Sequence, residues 1–173
     1  MRRPFRKPLI VMTPKSLLRH KLAVSSLADM GPGTTFHRIV AETTPLVTDD
    51  KVRRVVLSAG KFYYDLFEER QKRGIKDVAL IRVEQLYPFA KRTVEKELAR
   101  YKNAEIVWAQ EEPHNMGAWF FVEPRIEEAL SGIKVAAKRA RYIGRQALAS
   151  TATGLYRRHN QEQTKLVLDA LTV

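Results

Sequence analysis

The chain has no cysteine. That excludes a disulfide framework, a thiolate nucleophile and a cysteine-ligated zinc. Long apolar runs are missing too. None approaches the ~20 residues that a membrane helix needs, so a membrane is excluded as a partner. The run behind the basic N-terminus, Leu9-Ile10-Val11-Met12, is too short for a signal peptide. The four histidines, His20, His37, His114 and His159, include no pair at metal-ligand spacing such as i, i+4, and each reads as a surface or cap residue. Ser25, Ser26, Ser58 and Ser150 lie outside any G-x-S-x-G elbow. Neither G-x-G-x-x-G nor G-x-x-x-x-G-K-[ST] occurs. Acids are few relative to bases, 19 Asp and Glu against 31 Lys and Arg.

What remains is a basic chain of globular composition. With 173 residues it reads as a single domain, 1–173, long enough to bury a core. The formal net charge of +12 suits an anionic partner: nucleic acid, an acidic protein face or a phosphorylated ligand. Basic residues gather at 2–7, 53–54, 91–92 and 134–145, yet acids lie between them along most of the chain. A generally basic, solvated surface is therefore the first reading. A specific anion or partner site comes second, and a nucleic-acid groove third. Absence of cysteine fits a cytosol or a mitochondrial matrix.

The middle of the chain repeats one grammar. "VRRVVLSAG" (52–60) is a β-branched run closed by Gly, and "KFYYDLFEERQKRG" follows with Tyr63, Leu66, Phe67 and Arg70 on one helical face and Gly74 as a stop. "DVALIRVEQLYP" (77–88) is a second strand, and the next helix carries Ala90, Val94, Leu98 and Tyr101 on one side. "AEIVWAQ" (104–110) is a third strand. A strand and a crossover helix in alternation build a parallel sheet. Upstream, "KPLIVMTP" (7–14) reads as another buried strand, residues 15–33 as one or two short helices ended by Gly31-Pro32-Gly33, and "FHRIVAE" (36–42) as a weaker strand. Downstream, 134–144 reads as a last strand, 149–154 as a small-residue loop, and the C-terminal residues as a helix. The fold class is α/β: three layers, a mostly parallel sheet with helices on both faces.

Two stretches invite a functional reading. In "EIVWAQEEPHNMGAWFF" (105–121), Glu111 and Glu112 are adjacent, so an extended chain points them opposite ways and they do not form a carboxylate dyad. Asn115 is expected to cap a following helix whose face carries Trp119, Val122, Ile126 and Leu130, with a kink or restart at Pro124. Glu111, Glu112 and Asn115 are accordingly read first as a structural or interface loop, with direct ligand contact by the glutamates second and catalysis by them last, and Trp108 and Trp119 as core. In "TPKSLLR" (13–19), Lys15, Ser16 and Arg19 stand in the first turns of an expected helix, an arrangement suited to phosphate. The plainer reading makes Ser16 a cap and leaves the cations in solvent. Ligands of parallel sheets gather outside the carboxyl ends of the strands, an edge that also carries 58–61, 85–92 and 111–115.

"RKPLIVMTPKSLLRHK", "SAGKFYYDL", "ALIRVEQLYPF", "VWAQEEPHNMGAW" and "YIGR…STATG" together resemble the C-terminal domain of 2-oxoglutarate dehydrogenase, the thiamine-diphosphate-dependent decarboxylating component of its complex. The likeness runs in order from about residue 3 to 171, and "GPGTTFHRI" is nearest to alphaproteobacterial-type members. The resemblance implies a transketolase C-terminal-domain-like fold in which one edge strand can be antiparallel. It also implies a parent enzyme that decarboxylates 2-oxoglutarate and passes a succinyl group to lipoamide in the citric acid cycle. Thiamine diphosphate and magnesium, with the catalytic histidines, would belong to domains absent from these residues. No cofactor, catalytic group or metal is expected in this chain, which alone should be inactive. The implied partners are the rest of the dehydrogenase chain, a homodimer partner and the dihydrolipoamide succinyltransferase component. Some members bind a regulatory nucleotide such as acetyl-coenzyme A or AMP, and Lys15, Ser16, Arg19, Gln85 and Arg92 are the candidates for it here. Lys21, Ala90 and Gln146 depart from the usual pattern, and Ser58 and Ala109 occupy positions that often carry cysteine. The alternative function is a basic nucleic-acid or anion-binding module.

Overall fold

The computed structural model describes residues 4–173. They divide into two compact units, one up to Thr34 and one from Thr35 to Val173. The first unit carries two short 3-10 turns, Lys15–Arg19 and Leu27–Met30. The second turn has a reciprocal cap: the Asp29 amide donates to Ser26 Oγ, and the Ser26 amide donates to the Asp29 carboxylate. The first turn begins after Pro14 and uses no side-chain cap, so Ser16 is not the cap expected of it. Residues 7–14, read above as a buried strand, form no strand. Leu9, Ile10, Val11 and Met12 are 65–90% exposed. A strand needs a neighbour to take its amides and carbonyls, and among the described residues none pairs with this segment.

The second unit is a five-stranded sheet in the order β1-β3-β2-β4-β5. The strands are β1 (Ile39–Val40), β2 (Arg54–Ser58), β3 (Val78–Val83), β4 (Glu105–Pro113) and β5 (Ala140–Arg145). Only β1 runs antiparallel to its neighbour; the other three pairings are parallel. Helices α1 (Phe62–Arg73), α2 (Lys91–Leu98), α3 (Trp119–Ser131) and α4 (Tyr156–Leu171) supply the outer layers. Strand alternation divides the core. Val55, Leu57, Ile81, Ile106 and Trp108 pack with α2 and α3 on one face. Val56, Leu80, Val107 and Ala109 pack with α1 and α4 on the other. The three central strands are buried on both faces, which is why they read as unbroken apolar runs.

Helix limits follow local chemistry with two corrections. Gly74 ends α1 in the left-handed conformation, φ 64°. Where a kink or a restart is expected at Pro124, α3 runs through as one helix, so it does not restart there. Ala118, not Asn115, precedes its first turn.

The outer edge of β3 shows how the unit ends its ladder. β1 pairs with Arg82 and Val83 only. Beyond it the Glu42 carboxylate accepts the Leu80 amide at 2.8 Å, and Arg70 donates to the Val78 carbonyl at 2.9 Å. Arg70 and Glu42 also pair with each other, with side chains 0% and 4% exposed. A buried ion pair thus substitutes for the missing strand and blunts the edge. On the opposite side of β2, buried Arg54 donates to the Asp169, Ala170 and Thr172 carbonyls, closing the C-terminal end of α4.

Candidate functional site at the carboxyl end of the sheet

Neighbouring strands β2 and β4 send their connections in opposite directions. α1 leaves β2 towards one face of the sheet, and α3 leaves β4 towards the other. A crevice between such strands is where ligands of open α/β sheets collect. A cleft of about 390 Å³ opens there, lined by Ala59, Leu86, Tyr87, Trp108, Gln110, Glu112, Gly117, Ala118 and Phe121. Its walls are largely apolar. Tyr87 and Phe121 meet edge to face, with centroids 6.4 Å apart, and the Arg125 guanidinium lies 3.6 Å from the Phe121 ring.

The floor is organised by Gln110, a buried side chain that the sequence reading did not single out. Its Oε1 accepts from Trp108 Nε1 at 2.9 Å and from the Trp119 amide at 3.1 Å. Its Nε2 donates to the carbonyls of Met116 at 2.8 Å and of Glu112 and Pro113 at 3.3 Å. One amide therefore shapes the whole turn from 111 to 118 and holds the start of α3. Gly117 is needed for the same reason. Its φ is 70°, and a Cβ there would stand 2.8 Å from Gln110 Nε2. The available signal was an uncharged amide placed between the apolar run 106–109 and two glutamates, with a glycine seven positions on.

The two glutamates do diverge. They belong to β4, which extends past the expected end at 110 to Pro113. Glu111 points to the α1 and α4 side, where Lys61 Nζ stands 2.6 Å away and Gln163 Nε2 2.8 Å away. Burial pushes the Lys61 amine down, but the Glu111 and Asp65 carboxylates outweigh it and raise it overall. Glu112 lines the cleft on the other face and is exposed. Buried Arg145 adds a clamp below Glu111: it donates to the Glu111 carbonyl, to Glu162 at 3.0 Å and to Gln163 at 3.0 Å. Asn115 makes a two-point bond to the backbone of Leu148, at 2.9 and 3.0 Å. The loop is thus tied to α1, α4 and the segment after β5. Such an arrangement sets a shape, with Glu111 held by Lys61 and Gln163 and Asn115 held by the Leu148 backbone.

The five residues proposed for an anion do not share one element. Lys15, Ser16 and Arg19 are exposed in the first unit, on a five-residue 3-10 turn rather than a helix. Gln85 and Arg92 are in the second unit. Gln85 Nε2 donates to the Pro88 carbonyl at 2.7 Å, and Arg92 is exposed in the first turn of α2. Among the described residues, no group of three or more His, Asp or Glu could hold a metal ion, and no helix is long and apolar enough to cross a membrane.

A family model described as 2-oxoglutarate dehydrogenase C-terminal matches residues 24–171. The chain belongs to that family. It is 53% identical over 179 residues to the 2-oxoglutarate dehydrogenase E1 component of Brucella ovis and 52% identical to that of Brucella abortus. Each match covers 99% of this chain but 18% of the relative's length. Among solved structures, a split-gene transketolase described as an inactive β4 tetramer aligns with TM-score 0.50 and 13% identity, over 82% of this chain and 44% of that one. That likeness establishes a transketolase-like fold. In this member of the 2-oxoglutarate dehydrogenase C-terminal family, the "QEEPHNMGAW" stretch forms the Gln110-centred clasp.

Proposed function

We propose that the 173 residues act as one assembly and regulatory module of a 2-oxoglutarate dehydrogenase. The parent enzyme decarboxylates 2-oxoglutarate, passes the succinyl group to lipoamide on the dihydrolipoamide succinyltransferase component, and works as a homodimer in the bacterial cytoplasm. The observation that carries this reading is the Gln110 clasp. It holds a loop rigidly at the crevice of the sheet and leaves an apolar cleft with Glu112 at its rim, a shape suited to receiving another protein surface.

Thiamine diphosphate with magnesium supplies the carbanion chemistry of such enzymes. Among the described residues no group of three or more His, Asp or Glu is arranged to ligate the metal. In this reading other domains of the parent hold the cofactor, and this chain contributes the surface against which they close. Lys15, Ser16 and Arg19 in the first unit, and Gln85 and Arg92 in the second, remain the candidates for contact with a regulatory acetyl-coenzyme A or AMP.

The test is a chimera in which this chain replaces the matching part of the Brucella ovis relative. It should decarboxylate 2-oxoglutarate with thiamine diphosphate and magnesium, while the 173-residue chain alone turns over none. A folded but inactive chimera overturns the proposal. Loss of acetyl-coenzyme A and AMP binding in a Lys15→Ala, Arg19→Ala, Arg92→Ala triple variant would support the regulatory site. Unchanged binding would remove it.

A further inference from the structure

We infer that residues 8–13 are an interior strand of a sheet in another part of the parent protein. This rests on the reading of the chain as part of a larger enzyme. Leu9-Ile10-Val11-Met12 is an unbroken apolar run between Pro8 and Pro14. A half-buried strand alternates apolar and polar positions; an unbroken run belongs to a strand covered on both faces. In the structure all four side chains are exposed, Met12 to 90%, and the backbone is in neither helix nor strand. Among the described residues no backbone hydrogen bond engages residues 8–13, so their donors and acceptors can enter a ladder.

Two separate observations indicate what covers it. The family match begins at residue 24, so this segment lies outside the C-terminal family unit. The relatives match this segment too, yet the chain spans 18% of their length. The occupant to which we commit is a sheet supplied by the rest of that polypeptide. The two prolines limit the strand to about the five residues between them, a usual strand length, and Pro14 then lets the chain leave the sheet.

The experiment mixes the isotopically labelled 173-residue chain with the remainder of the Brucella ovis relative, expressed without the part that matches this chain. Amide hydrogen exchange is read at residues 9–13. In the chain alone these amides should exchange at the rate of an unstructured peptide. On binding they should slow by on the order of a thousandfold or more, as for a buried ladder. Leu9→Lys and Ile10→Lys face opposite sides of a strand. Each should abolish the protection and weaken binding at least tenfold, with the thermal midpoint of the second unit unchanged. Binding without protection at 9–13 overturns the inference and leaves the assembly reading intact. Failure to bind at all overturns both. Loss with only one of the two lysine variants would mean a half-exposed edge strand and overturn the interior placement.

Discussion

Leu9-Ile10-Val11-Met12 and Val55-Val56-Leu57 have the same character on paper: short, aliphatic, rich in β-branched residues. The first run is 65–90% exposed and has no regular structure, and the second is 0–1% exposed in the middle of a sheet. Composition does not separate them. What separates them is a neighbour on each side: β2 lies between β3 and β4, in register with both. Propensity proposes a strand, and only a second and third strand can accept its hydrogen bonds.

The largest expected effect comes where a neighbour has been replaced rather than lost. Glu42→Ala removes the partner of a guanidinium that is 0% exposed and frees the Leu80 amide. It should cost about 3–5 kcal/mol in urea unfolding. The effect depends on pH. Burial pushes the Glu42 carboxyl up, but Arg70 and the Leu80 and Thr44 amides outweigh it and hold it below its ordinary value. A depressed carboxylate stabilises above its unfolded pKa, roughly 4.3, and loses that contribution as pH falls through the lower folded value. The gap between wild type and Glu42→Ala should therefore narrow in acid.

The two apolar runs themselves should respond next, and unequally. Leu57→Ala should cost about 2–5 kcal/mol, whereas Leu9→Ala should change unfolding by less than about 0.5 kcal/mol. Equal costs would break the comparison. Gln110→Ala should fall between them, at about 1–3 kcal/mol, because Trp108 Nε1 and the Trp119 amide lose their acceptor inside the protein. Near-ultraviolet circular dichroism should report the loosened tryptophans. Glu112→Gln should have the smallest effect, within about 0.5 kcal/mol, since the residue is exposed.

Much of the second unit was legible before the fold. The alternation of strands and helices gave the three layers. The buried faces of α2 and α3 are those that the 3.6-residue spacing indicated: Val94 and Leu98 with Ala90 and Tyr101 at the ends of α2, and Trp119, Val122, Ile126 and Leu130 on α3. The divergence of Glu111 and Glu112 was legible too, because a strand alternates regardless of what surrounds it. Less of the candidate site could be seen. Asn115 was expected at a helix start, but Leu148, 33 residues away, is its partner. Gln110 was passed over, because its partners converge only after the turn has closed on it. Arg70 was read on one helical face with Leu66, and both are buried, yet nothing local announced that Glu42, 28 residues earlier, would meet it there.

The sequence by itself determined the periodicities, and with them the sheet and its flanking helices, while its motifs carried the resemblance to the family. Tertiary structure alone decided which apolar run became a strand, which carboxylate was paired and which faced the cleft, and where buried amides and guanidiniums found acceptors. The physical reason is range. Side-chain direction repeats along a few bonds of one chain, whereas a hydrogen bond or an ion pair needs a second segment, and the distance to that segment is set only when the sheet closes.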